Sequence, residues 1–459
     1  MTKLIGKDKL FMMSDDIISK CGDAGCEIVF SHTASGLTRL ANSTIHQNVS
    51  KESTDVSIRV SRGDMVGVAT TNVLTPEGLF DCLFNALEIM KMSEPLEGFP
   101  GPFPKAEYRV TNTWVDATAN WGPSDRAKVA ADAIARGAEE GLILAGAVEN
   151  TVSEIVIANS LGVRGYQPLT SFSCNFVAMD GEKDDPPSGY AALTGRDVSS
   201  ADFADTYGTA CKKAVLARNP VVIEPGAWDV VLEAAAFTEL VEWFNYIAFS
   251  GRAVQDGRSP LAGRFGQKIT GDKITITDDA YNGNMMGLPF DFEGVPRKRL
   301  TLIDKGVANE VSWSRFAAQR EGKEPTGHSF GPGSMPSDSL PLNLKVKTGD
   351  KSLGEMVKML DRGIQVTRFH YVNGLLDTRQ AVMTGMTRDG AWVVENGEVK
   401  HAIKDLRFTA GMLDAWKRID AIENKAHPCG AWWSAIGSYD VPGVLIRDFT
   451  FTGKTGKGS

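Results

Sequence analysis

The stretch that most constrains this chain runs from residue 26 to residue 74, CEIVFSHTASGLTRLANSTIHQNVSKESTDVSIRVSRGDMVGVATTNVL. β-branched residues recur along it, and turn signals fall at Ala34-Ser35-Gly36, Lys51-Glu52-Ser53 and Arg62-Gly63-Asp64. That texture predicts consecutive strands. Helical patterns flank it. Apolar residues at helical spacing in KLFMMSDDIISKC (9 to 21) predict an opening helix. Thr75 followed by Pro76 and Glu77 starts an amphipathic helix through LFDCLFNALEIMKMS.

Four prolines in EPLEGFPGPFPKAEY (94 to 108) predict a loop. A helix capped by Ser124 and closed by Gly141 follows, then strand-like residues up to Met179 with Gly162 in a turn. TGRDVSSADFADTYGTACKKAVLARN reads as another helix. Pro220 and Pro225-Gly226 mark a boundary, dividing an N-terminal domain (1–220) from a C-terminal one (221–459). Beyond the boundary, short β-type runs dominate: KITITDD, RLTLIDKGVANEVSWS, LNLKVKTG, IQVTRFHYVNGLLD, QAVMTGMTRDGAWVVENGEVKHAI and GVLIRDFTFTG. The Asn-Gly of ENGEV (395 to 399) predicts a hairpin, and SLGEMVKMLDRG and GMLDAWKRIDAIEN predict helices. The expected fold class is α+β: an N-terminal mixed α/β domain, then a C-terminal β-rich domain built as a curled antiparallel sheet or barrel.

A net charge of −8 and a pI near 5.5 argue against nucleic acid as a partner, since phosphate binding needs a basic stripe. Asp15, Asp16 and Lys20 break the N-terminal apolar residues before a signal peptide could form, and no run approaches the ~18 apolar residues of a membrane span. A cytoplasmic protein with no membrane partner is expected. Six scattered cysteines, two of them in CGDAGC (21 to 26), lack a second pair at zinc-finger spacing and read as free thiols.

Several stretches resemble the TldD/PmbA family, long labelled modulators of DNA gyrase and described as peptidases. They are RLANSTIHQNVSKESTDVSIRVSRGDMVGVATTN (39 to 72), SPLAGRFGQKITGDKITITDDA (259 to 280), LPFDFEGVPRKRLTLIDKGV (288 to 307), PTGHSF (325 to 330) and TGMTRDGAWVVENGEVKHAIKDLRFT (384 to 409). The resemblance implies the two-domain layout above. It also implies a dimer, in which a catalytic TldD-type chain pairs with a TldE (PmbA)-type chain to form a zinc peptidase acting on unfolded or leader-bearing peptides.

In TldD-type chains, a helix ahead of the AGR-GQ segment carries H-E-x-x-x-H, and a Cys near the C-terminus supplies a third zinc ligand. Imidazole and thiolate suit zinc, and the carboxylate takes a proton from metal-bound water. Here the motif falls on TELVEW: Thr238 and Trp243 stand at the two His positions and Glu239 at the base position. No His lies between residues 47 and 327, so no register restores the pair. Cys429 in HPCG matches the C-terminal Cys.

The resemblance therefore implies a TldE/PmbA-like subunit with no metal or cofactor of its own, the zinc residing in a TldD-type partner. Candidate catalytic residues are Glu239, Glu242 and Cys429; candidate binding residues are Trp243, His328, His370 and Trp432. For each there is a plainer role. Glu239 and Glu242 fit a polar helix face opposite the apolar stripe Leu240, Trp243, Phe244 and Ile247. His328 fits a loop residue bonded to backbone, and His370 one face of a strand. Trp243, Phe244, Tyr246, Trp432 and Trp433 fit core filling as well as an aromatic pocket. Two other functions remain open: a stand-alone hydrolase using Glu239 or Glu242 with Cys429 and His370, and a homodimeric binding protein using the aromatic pocket.

Overall fold

The computed structural model describes residues 4–181, 186–282, 287–430 and 437–454. The first half comprises α1 (Lys7–Ser19), β1 (Gly25–Ala41), β2 (Thr44–Arg62), β3 (Met65–Thr71), α2 (Pro76–Met92), α3 (Asp116–Ala119), α4 (Pro123–Glu139), β4 (Ile143–Asn159), β5 (Arg164–Met179), β6 (Ser188–Gly195) and α5 (Phe203–Leu216). Its strands form an antiparallel sheet in the order β3-β2-β1-β4-β5-β6.

β1 and β2 run unbroken through two of the three expected turns, and the chain reverses instead at Asn42 and Ser43, with φ of 49° and 54°. Gly36 is no turn residue. A Cβ there would lie 2.4 Å from the guanidinium of Arg126 on α4, so the glycine makes room for a helix crossing the sheet. Successive side chains of a strand alternate between faces, and one face carries the helices. Cys26, Ile28 and Phe30 pack against α1 and α2, and Leu40 packs among residues of α4 and α5. On the opposite face, Val29, Ile155 and Ile157 meet Leu288 and Phe290 from the second half. Glu27 and Arg59, paired across β1 and β2, reach Glu293 there: Arg59 donates to Glu27 at 2.7 and 2.8 Å and to Glu293 at 2.8 Å, all three side chains being buried.

α4 starts two residues earlier than its Ser124 cap predicts. Pro123 takes the first helical position and the Gly122 N–H donates to Asp125 at 2.8 Å.

The second half comprises β7 (Gly226–Leu232), α6 (Ala234–Ala248), β8 (Ile276–Asp278), β9 (Leu300–Asp304), β10 (Val307–Ala308), β11 (Asn343–Val346), β12 (Arg362–Asp377), β13 (Val382–Glu395), β14 (Glu398–Ala402), β15 (Leu406–Gly411), β16 (Ile419–Gly430) and β17 (Ser438–Lys454). Asn396 and Gly397, both at positive φ, make the expected two-residue hairpin between β13 and β14. β17 pairs with β15, β15 with β13, β13 with β12, β12 with β7, and β7 back with β17, so this part of the sheet closes on itself. The closure is mixed rather than purely antiparallel, because β7–β12 and β11–β17 run parallel.

The helix expected over 411–424 stops at Lys417, and Ile419–Gly430 is β16. Ile419, Ala421 and Ile422 lie opposite Ile446, Leu445 and Val444 of β17, and that pairing outweighs the local helical pattern. No helix among the described residues is long and apolar enough to cross a membrane.

Candidate functional site

α6 follows β7 directly, with Glu233 as its N-cap. Phe237, Leu240, Val241, Phe244 and Ile247 form a stripe at helical spacing, which buries against β12 and β17. Glu233 itself bonds Gln365 of β12 at 2.8 Å and Lys213 of α5 at 2.5 Å, tying the start of the helix to both halves of the chain.

One turn in, the Thr238 hydroxyl bonds the Ala234 carbonyl at 2.7 Å and lies 3.4 Å from Cys429 Sγ at the end of β16. Burial pushes the Cys429 thiol up to about 11; Asp440, Glu242 and Glu239 push the same way, against the hydrogen bond from Thr238. Glu239, half-buried, has its carboxyl raised by burial, with Arg368 of β12 opposing. Arg368 bonds Asp389 of β13 through its Nε at 2.7 Å and lies 4.4 Å from the ring centre of Tyr190 on β6. The Tyr190 phenol is pushed up to about 12, mainly by burial, with Cys429, Glu239 and Asp389 adding to it.

Ser188, two residues before Tyr190, donates to Asp389 at 2.7 Å, and a Cβ on Gly430 would lie 3.8 Å from Thr194. β6, the last strand of the first sheet, thus borders β13 and the end of β16. The structure brings together Glu239, Cys429 and Glu242. Glu242 is 3% exposed, so it does not stand on a solvated polar face. The helix packs against β12 and β17 and is approached by β16.

The remaining candidates lie apart. The Trp243 ring sits over Gly374 of β12, 3.0 Å from where a Cβ would be, and packs edge-on with Tyr246 at 6.0 Å. His370 shares a strand face with Arg368, and burial lowers its pKa, with Arg368 and Arg388 adding to that. Among the described residues no hydrogen bond joins His370 to Cys429 or Glu239. His328 is fully enclosed, bonded to Asp278 at 2.9 Å and Thr326 at 3.0 Å, in a network that continues through Asn343 to Arg297. Trp432 lies outside the described residues.

Sequence reasoning missed Tyr190, which comes from β6 in the first half of the chain and carries no local signal. It also missed Arg368, although Arg368 and His370 in TRFHY alternate onto one face.

Zinc in an N/S site takes thiolates and neutral imidazoles. Here a hydroxyl stands against a protonated thiol, and the second ligand position of the helix points to Gly374. Among the described residues no three His, Cys, Asp or Glu side chains gather closely enough to hold a metal. The neighbouring residues 431–436, AWWSAI, contain none of those types. Thr238 and Trp243 offer zinc neither an imidazole nor a thiolate.

The family model described as PmbA/TldA metallopeptidase domain 1 matches residues 26–89, the central domain 120–218 and the C-terminal domain 225–453. The chain belongs to the PmbA/TldD family. Within that family it is 25% identical over 276 residues to metalloprotease PmbA of Escherichia coli O157:H7, a match covering 59% of this chain and 57% of that protein. It is 23% identical over 427 residues to a metalloprotease TldD homolog of Buchnera aphidicola, covering 83% and 82%. The chain spans less than two thirds of the length of the first curated relatives, 57% of the Escherichia protein and 43% of a Methanothermobacter metalloprotease. Two solved structures share the PmbA/TldD fold. TldE from Thermococcus kodakarensis superposes with a TM-score of 0.86 at 19% identity, covering 96% of this chain and all (100%) of that one. A Thermotoga maritima protein described as a modulator of a DNA gyrase superposes with a TM-score of 0.85 at 23% identity, with the same coverage.

Proposed function

We propose that this chain is a TldE/PmbA-like subunit without a zinc of its own, which pairs with a zinc-bearing TldD-type chain in a peptidase for unfolded or leader-bearing peptides. The observation that carries the reading is the Thr238–Cys429 contact: at the place of a metal ligand pair, a hydroxyl lies 3.4 Å from a neutral thiol. Its role is to close a shared chamber and present extended peptide by strand addition. The outer edge of β6 suits that role, because β6 ends its sheet beside β13 and β16.

The test is co-expression with a TldD-type chain bearing an intact H-E-x-x-x-H. Co-purification and cleavage of an unfolded peptide only by the mixture are expected. Cleavage by this chain alone, abolished by a chelator, would contradict the proposal.

A second reading is favoured by one feature, the raised carboxyl of Glu239 beside Arg368. A carboxyl raised above its ordinary value is better suited to act as a general acid, so the chain alone would hydrolyse a small or modified peptide without metal. Chelator-resistant turnover by the isolated chain, lost in Glu239→Gln, would establish it over the first.

A further inference from the structure

Immediately after β6, Arg196 enters a pocket of about 80 Å³ lined by Arg109, Thr111, Thr113, Tyr281 and Asn282 among others. Two guanidinium groups face this space, and none of its lining residues is Asp or Glu. Arg109 lies 4.5 Å from the ring centre of Tyr281 and has no carboxylate partner among the described residues. Arg196 donates through Nη1 to the Asn112 carbonyl, while its Nε and the Nδ2 of Asn282 are buried with no acceptor among the described residues. The backbone is fixed here, since Thr118 and Thr170 donate to the Arg196 carbonyl at 2.8 and 3.4 Å. Donors from three segments of chain therefore meet in one recess. A bound carboxylate would accept from the Nε of Arg196 and the Nδ2 of Asn282, with the exposed Arg109 guanidinium beside it.

We propose that this pocket binds a carboxylate of an extended peptide, either its C-terminus or an Asp or Glu side chain, laid along the outer edge of β6. The inference rests on the peptide-presenting reading above. Arg196 lies six positions beyond Tyr190 (196 − 190), which is ~20 Å of extended chain at ~3.3 Å per residue. A peptide anchored at Arg196 thus reaches the group of Tyr190, Glu239 and Cys429 with about six residues.

The test is the binding of labelled hexapeptides of one sequence to the full chain: a free acid, a C-terminal amide, and an amide with one internal Asp. The acid is expected to bind about tenfold more tightly than the plain amide, against the net repulsion of an acidic protein. Arg196→Gln and Arg109→Gln, each checked for an unchanged circular dichroism spectrum, should each erase that difference. Recovery of affinity by the Asp-bearing amide identifies a side chain as a source, and no recovery identifies the C-terminus. Equal binding of acid and amide, no binding of any peptide, or a difference that survives in both variants overturns the proposal. Co-purification with a TldD-type chain is read separately, so the pocket can fail while the pairing stands.

Discussion

The hydroxyl of Thr238 lies 3.4 Å from the Sγ of Cys429, joining the first turn of α6 to the last residues of β16 across 191 positions of sequence. In catalytic relatives the resemblance places two zinc ligands at these positions; here the pair is a donor and a neutral sulfur. Burial among carboxylates holds the thiol at about 11, so about one in a thousand is thiolate at pH 8. Iodoacetamide labelling read by mass spectrometry should therefore leave Cys429 largely unmodified at pH 8, although it is the most exposed of the six cysteines. The rate should climb about tenfold per pH unit until the thiol ionises. Rapid labelling at neutral pH would mean that the thiol is activated.

Glu239 gives a pH dependence of definite sign. Its carboxyl is raised above the ordinary 4.5 by burial, so between 4.5 and its folded value the folded chain holds more protons than the unfolded one. Its contribution to stability is present below pH 4.5 and is lost as pH rises through the folded value. Glu239→Gln removes that loss. In urea denaturation the variant should gain on the wild type between pH 5 and pH 8; a gap that shrinks over that interval contradicts the assignment.

The buried Glu27–Arg59–Glu293 group joins the first sheet to the second half of the chain. Arg59→Met leaves two carboxylates facing each other out of water and should cost about 3–5 kcal/mol. Replacing all three, as Glu27→Gln, Arg59→Met and Glu293→Gln together, should recover most of the loss. Thermal unfolding of the single and triple variants decides it.

Gly189 of β6 lies under α5: a Cβ there would come within 2.3 Å of the Ala210 carbonyl and the Ala214 nitrogen. Gly189→Ala should push α5 off the strand and cost about 1–3 kcal/mol. Because β6 also borders the site, amide exchange along residues 188–195 should quicken in the same variant.

The α+β class and the β-rich second half were legible because strand period and turn chemistry are local properties. The turns at residues 34–36 and 51–53 were misread because Gly36 and the polar residues around Ser53 look like punctuation, whereas their reasons lie in a neighbouring helix and in an exposed sheet edge. Of the site, Thr238, Glu239 and Cys429 were found through the family motif. Tyr190, Arg368 and Asp389 come together only through packing of β6 against β12 and β13. Glu242 was misjudged for the same reason: its helix face is covered by elements far away in sequence.

The most direct test of the central claim is the zinc content of the isolated full chain, measured by mass spectrometry after incubation with zinc and dialysis, alongside its peptidase activity. Less than about 0.1 zinc per chain and no cleavage without a TldD-type partner are predicted. About one tightly held zinc per chain, lost in Cys429→Ser together with cleavage activity, would contradict it.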